Sequence, residues 1–153
     1  MRPRVHAIAL SSELGDFTEE VRQIFRELGR AFGLESLAGE CTPALDVYET
    51  DDSLEIAVDL PGVDAMTVRL VRKGDAILIA GEKPRQRSRG ESSFHLVERG
   101  YGRFARVVRV GPACDLSQTR ASFAQGVLHL SMPKITERRG RAVRIDVRSR
   151  TTG

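Results

Sequence analysis

The spacing of hydrophobic positions changes at Pro43. Before it, Leu14, Phe17, Val21, Ile24, Phe25 and Leu28 recur three and four residues apart and share one broad face, the pattern of an amphipathic helix. Asp16 stands where a capping residue belongs, with Glu19 three residues on as in a capping box. Gly29 and Gly33 weaken the pattern, and Gly33 is a candidate terminator. A helix of about three to four turns is marginal alone in water, so its apolar face needs a partner. Packing on the chain's own domain supplies one; packing on other subunits or on unfolded chains supplies another.

After Pro43 the period is two. Residues 44–48 form a short strand candidate, and residues 50–53 a turn. Leu54, Ile56, Val58 and Leu60 then alternate with Glu55, Ala57 and Asp59, as a half-buried strand requires. Pro61-Gly62 stops that strand. Residues 67–72 make the next, with Val68 and Leu70 on one face, and Lys73-Gly74-Asp75 turns the chain into the continuous apolar run 76–80, a central strand. Residues 81–93 hold no large apolar residue and predict a long basic loop. A short strand at 94–97 follows, with no evident partner in its own sheet; pairing with another chain resolves that. Residues 103–110 form a strand whose apolar face of Phe104, Val108 and Val110 is interrupted by Arg106. Residues 119–124 and 127–132 form a hairpin through Gln125-Gly126, and Pro133 closes the domain. About eight short strands with closely spaced turn signals argue an all-β sandwich.

In the last fifteen residues, Val143, Ile145 and Val147 alternate with Arg144, Asp146 and Arg148. This is a strand with one apolar edge and flanks too polar to build a core. Such a segment gains most by laying its apolar residues into a groove on a neighbour.

Composition narrows the class. The 153 residues are 41% hydrophobic and lack tryptophan, which fits one aliphatic-cored domain with tails. The net charge of +3 conceals segregation: residues 41–70 hold one basic and seven acidic side chains, whereas residues 82–110 hold eight basic and three acidic ones. Opposed blocks of this kind suit contact between copies of one chain. Arg85, Arg87 and Arg89 lack interleaved aromatics, so a solvated loop is favoured over a nucleic-acid site and no nucleic-acid partner is expected. Cys41 and Cys114 have neither metal nor redox spacing and fit a reducing cytoplasm. No apolar run is long enough for a membrane span, and residues 5–10 are too short and broken for a signal segment.

Catalytic chemistry finds no foothold. His6, His95 and His129 are scattered, so no metal is expected. Gly100-x-Gly102 precedes a strand rather than a helix, no phosphate-loop lysine motif occurs, and Ser11 and Ser12 belong to no triad. The expectation is a binding protein without cofactor and not an enzyme.

Several landmarks in order resemble the α-crystallin domain of small heat-shock proteins of bacterial type. They are Ala44-Leu45-Asp46-Val47-Tyr48-Glu49, Asp59-Leu60-Pro61-Gly62-Val63, Leu78-Ile79-Ala80-Gly81-Glu82, Glu98-Arg99-Gly100-Tyr101-Gly102-Arg103-Phe104-Ala105-Arg106, Ala121-Ser122-Phe123 with Gly126-Val127-Leu128, and Ile145-Asp146-Val147. Val110-Gly111-Pro112 departs from the Leu-Pro that the family usually has there.

The resemblance implies an immunoglobulin-like β-sandwich (residues 43–134, with a strand-exchange loop at 81–102), a partly helical N-terminal arm (1–42) and an extended C-terminal tail (135–153). It implies an ATP-independent holdase that binds unfolding clients, passes them to ATP-driven chaperones, and works as a homo-oligomer built from dimers. Ala44, Asp46, Tyr48, Phe94, His95, Leu96, Val97, Glu98 and Arg106 would form the dimer interface, Arg106 in an ion pair such as one with Asp46 or Glu98. Ile145 and Val147, or Val143 and Ile145, would dock in a groove of Val68, Leu70, Ala121 and Phe123 on another dimer. Phe17, Val21, Ile24, Phe25 and Leu28 would meet clients. The competing reading is a β-sandwich adaptor for one defined protein partner.

Overall fold

A computed structural model describes residues 8–10, 14–32, 41–85, 90, 93–135 and 144–147. Its strands are β1 (Ile8–Leu10), β2 (Leu45–Glu49), β3 (Ser53–Asp59), β4 (Arg69–Lys73), β5 (Ala76–Lys83), β6 (Gly102–Arg109), β7 (Arg120–Ala124) and β8 (Val127–Pro133). They form two antiparallel four-stranded sheets, ordered β1-β6-β5-β4 and β2-β3-β8-β7.

Alternation places the core between the sheets. Leu54, Ile56 and Val58 of β3 meet Ile77 and Ile79 of β5, Phe104 and Val108 of β6, and Leu128, Leu130 and Met132 of β8, all buried. The opposite face of β5 is buried as well: Ala76, Leu78 and Ala80 lie on the outer side of their sheet, under the helix α1 (Thr18–Phe32). Burial on both faces explains why 76–80 reads as an unbroken apolar run.

Turn chemistry sets the registers. Gln125 and Gly126 both have positive φ, 52° and 76°, as a two-residue type I′ hairpin demands between β7 and β8. Gly74, at φ 60°, is the first central residue between the paired Lys73 and Ala76, the place where a type II′ turn needs glycine.

Three sequence expectations change. Asp16 is not a helix cap but lies inside a 3₁₀ turn, Gly15–Phe17, that runs straight into α1; the Thr18 hydroxyl donates to the Gly15 carbonyl at 3.1 Å. Gly33, the candidate terminator, lies outside the described residues. Residues 81–83 belong to β5 rather than to the loop, because Gly81 pairs with Phe104 and Lys83 with Gly102. The third concerns 94–97, which forms no strand here and is exposed.

Gly81 is in the strand for a steric reason. A Cβ built there would stand 2.9 Å from Phe104 Cζ, so the buried phenyl ring occupies the space over the glycine. Gly81→Ala is expected to lower unfolding free energy by about 1–3 kcal/mol through overpacking, measured as a lowered urea midpoint with unchanged slope. No loss of stability would mean that the ring has another place to go.

Candidate functional site

Two edges of the sandwich carry candidate binding surfaces. On one side, β4 and β7 are the edge strands of their sheets. Between them opens a groove of about 290 Å³ lined by Leu70, Ile77, Leu116, Ala121 and Leu130, with Arg72, Ser117 and Thr119 also at its wall. Its floor is aliphatic because Ile77 and Leu130 face inward from the two central strands. Of the four groove residues expected from sequence, Leu70 and Ala121 line it directly. Val68 and Phe123 are half-buried and pack on the core from the same strand edges, outside the groove lining. Ile77, Leu116 and Thr119 were not legible as groove residues. The signal for Leu116 lies in Asp115, whose carboxylate caps the 3₁₀ turn Leu116–Gln118 by accepting from Ser117 N–H at 3.0 Å and turns Leu116 inward. Hydrogen bonds from Ser117, first from its hydroxyl and then from its N–H, hold the Asp115 carboxyl below its ordinary range.

The tail segment 144–147 has no regular secondary structure, and Ile145 is 86% and Val147 95% exposed, so neither fills the groove of its own chain. Val143, the alternative anchor, lies outside the described residues.

On the other side, β2 pairs only with β3 among the described residues, leaving its outer edge open. Asp46 and Tyr48 are exposed there, as is Ala44 just before the strand. The Tyr48 hydroxyl lies 3.3 Å from His129 Nε2, which is in turn 3.0 Å from Glu55 Oε2. Ser131 donates to Glu55 Oε1 at 2.8 Å. This polar row across β2, β3 and β8 lies on the outer face of that sheet. Phe94, Leu96 and Val97 are 59%, 73% and 55% exposed, and His95 and Glu98 are exposed beside them.

Arg106 faces inward from β6, on the same side as Phe104 and Val108, and is buried. It reaches across to the start of β2, where its Nη1 donates to the Pro43 carbonyl, while its Nε is buried with no partner. Burial pushes its pKa below the ordinary arginine range. Asp46 and Glu98, the expected carboxylates, do not pair with it within the chain: both are exposed, Asp46 on the outer face of β2.

The third apolar surface is covered. Phe17, Val21, Ile24 and Phe25 are buried against Ala76, Leu78, Ala80 and Val107, with Leu28 and Val71 packed at the margin. The helix therefore lies on its own domain in this structure, the first of the two partners that its pattern allows. Lys73 donates to Glu20 Oε1 at 2.9 Å, and that hydrogen bond is the main cause holding the Glu20 carboxyl below its ordinary range. Arg103 lies over the Phe25 ring at 5.3 Å.

Residues 46–148 match the family model of the Hsp20/alpha crystallin family. The chain belongs to that family. A 16.9 kDa class I heat shock protein of Oryza sativa is 31% identical over 120 residues, covering 78% of this chain and 80% of the relative. Spore protein SP21 of the bacterium Stigmatella aurantiaca is 33% identical over 95 residues, 62% of this chain; the chain spans 56% of that protein's length. Among solved structures, a small heat-shock protein from Xylella fastidiosa superposes with a TM-score of 0.62 at 26% identity, covering 71% of this chain and 99% of the other. Heat shock protein 16.0 of Schizosaccharomyces pombe gives 0.58 at 28% identity, covering 71% and 100%.

Membership in the Hsp20/alpha crystallin family supports a chaperone role, and the family is one of non-enzymatic chaperones. Among the described residues no cluster of histidine, cysteine, aspartate and glutamate could hold a metal ion, and no helix is long and apolar enough to cross a membrane. Cys114 is buried, which pushes its pKa up, and Cys41 is half-buried with its thiol 3.3 Å from the Gly102 carbonyl.

Proposed function

We propose that this protein is an ATP-independent holdase that binds unfolding proteins in the cytoplasm, keeps them from aggregating, and releases them to ATP-driven chaperones. It needs no cofactor, metal or nucleic acid. One observation carries the reading: a single chain leaves its groove open, its loop apolar residues 94–97 exposed, and the apolar residues of its tail uncovered. Those are surfaces for assembly.

In the proposed assembly, residues 94–97 add to the open β2 edge of a partner, forming a dimer. Strand addition satisfies the free backbone groups of that edge. The opposed charge blocks favour this pairing, and a partner carboxylate, from Asp46 or Glu98, completes the buried Arg106. Dimers are then joined by tails seated in β4–β7 grooves of other dimers. Burying Ile145 and Val147 contributes roughly 1.5–3 kcal/mol each. Ordering the tail costs about 1–2 kcal/mol per residue. Each contact is therefore weak and reversible, and the closed assembly is held by many of them. Heat or client load shifts the population toward species with free apolar surface.

Light scattering of a heat-labile client at its unfolding temperature, without nucleotide, tests the reading. Suppression near stoichiometric ratios is expected. Unchanged aggregation in the presence of the still-folded protein would favour the adaptor for a single defined partner.

A further inference from the structure

The face of the β1-β6-β5-β4 sheet that α1 covers has three features that packing alone does not require. It is bounded by a strand edge that only three residues cover: β1 pairs with β6 through Ile8–Leu10 opposite Val107–Arg109, so whenever residues 8–10 leave, β6 presents unpaired N–H and C=O groups. Its centre is aliphatic, made of Ala76, Leu78, Ala80 and Val107. A lysine stands at its rim. Lys73, at the tip of the β4–β5 hairpin, donates to the Asp16 carbonyl at 2.5 Å as well as to Glu20, and lies 5.8 Å from the centre of the Phe17 ring. Arg103 stacks on Phe25 farther along the helix.

The occupant is removable on physical grounds. A fifteen-residue helix is near the length at which isolated helices are marginal in water. Once lifted from the sheet it melts, and the gain in chain entropy grows with temperature. The Lys73–Glu20 pair is partly solvent-exposed, so it is a weak clasp that salt screens.

We infer that this sheet face, together with the β6 edge, is a second acceptor site for amphipathic segments of unfolding proteins, and that residues 8–10 and 14–32 occupy it as a removable stand-in clasped by Lys73. The inference rests on the holdase reading. The seated residues define what the site accepts: a short extended stretch for the β6 edge, then an apolar stripe with aromatic residues for the sheet. An unfolding chain offers such stretches only while its own core is open. Displacement of the arm adds a benefit of its own, because the apolar face of α1 is freed in the same event.

Two substitutions in the full chain separate the site from the arm. Lys73→Glu opposes Glu20 and the Asp16 carbonyl, releasing the arm and leaving the sheet face intact. Val71→Glu, on the edge strand β4 and packed at the margin of the same cluster, releases the arm and places a charge on the site itself. Hydrogen exchange of α1 amides is expected to be about fivefold faster in Lys73→Glu, and the Glu20→Lys/Lys73→Glu double variant should return it to the original rate. Val71→Glu should also speed exchange. In the scattering assay Lys73→Glu should suppress client aggregation at fewer copies per client, and Val71→Glu should show no such gain. Because Val71 also lines the β4–β7 groove, Ala105→Asp, on the same face of β6 and outside that lining, must show the same lack of gain, and it replaces Val71→Glu should that variant lose its β-sheet circular dichroism. An equal gain in both classes of variant overturns the inference, since the freed arm alone would then bind clients. Unchanged α1 exchange in Lys73→Glu overturns it too. In both cases the unsubstituted protein still suppresses aggregation. Failure of every form to suppress aggregation sinks the holdase reading itself.

Discussion

Replacing Ile145 and Val147 together by alanine is expected to reduce the assembly to dimers. The two substitutions remove five carbon atoms from each tail, worth about 4 kcal/mol per seated tail at about 0.8 kcal/mol per buried methylene. Incomplete burial lowers that figure, and a loss of even about 2 kcal/mol weakens each contact roughly thirtyfold. Because the closed assembly depends on many weak contacts at once, the loss is multiplied rather than shared. Size-exclusion chromatography with multi-angle scattering reads the result as a mass. Leu70→Glu, which charges the wall of the groove that would receive the tail, should give the same product. An unchanged mass in both variants would remove tail docking from the proposed assembly.

The second large effect is expected at Arg106. A buried guanidinium that finds only the Pro43 carbonyl in its own chain, with Nε unpartnered, is a costly element to keep. Replacing such a charge by an apolar residue of similar length is often neutral for folding. Arg106→Met should therefore leave the thermal midpoint of the sandwich within a few degrees of the original. The dimer, which would supply the missing carboxylate, should weaken by about 2–5 kcal/mol. Analytical ultracentrifugation in the Ile145→Ala/Val147→Ala background isolates that equilibrium from tail contacts. A dimer as strong as before would mean that Arg106 serves the single chain alone. A large fall in the midpoint with an intact dimer would lead to the same conclusion.

The sandwich strands were largely legible because each buries one face or two, and burial imposes a period. Leu54, Ile56 and Val58 alternate since only one side of β3 is inside; 76–80 does not alternate since both sides of β5 are. Turn residues were legible for a backbone reason, as Gly74 and Gly126 occupy positive φ that side chains disfavour. Residues 94–97 stand apart, because a strand exists only when a neighbour accepts its hydrogen bonds, and the described residues of the single chain offer none there. Asp16 misled, since a 3₁₀ turn extended the helical segment past the residue that would have capped it. The groove was half legible. Leu70 and Ala121 stand on predicted strands, while Leu116 reaches the lining through a capped turn that hydrophobic periodicity does not register.

By itself the sequence determined the β-sandwich, its turns, the amphipathic character of the arm and the family, because each of these is written in local spacing or in short ordered motifs. The tertiary structure decided which partner the arm takes, that Arg106 points into the sandwich rather than to solvent, and that Lys73 meets Glu20. The physical reason is separation along the chain. Lys73 and Glu20 stand 53 residues apart, and only the sheet that carries one and seats the other brings them within a hydrogen bond.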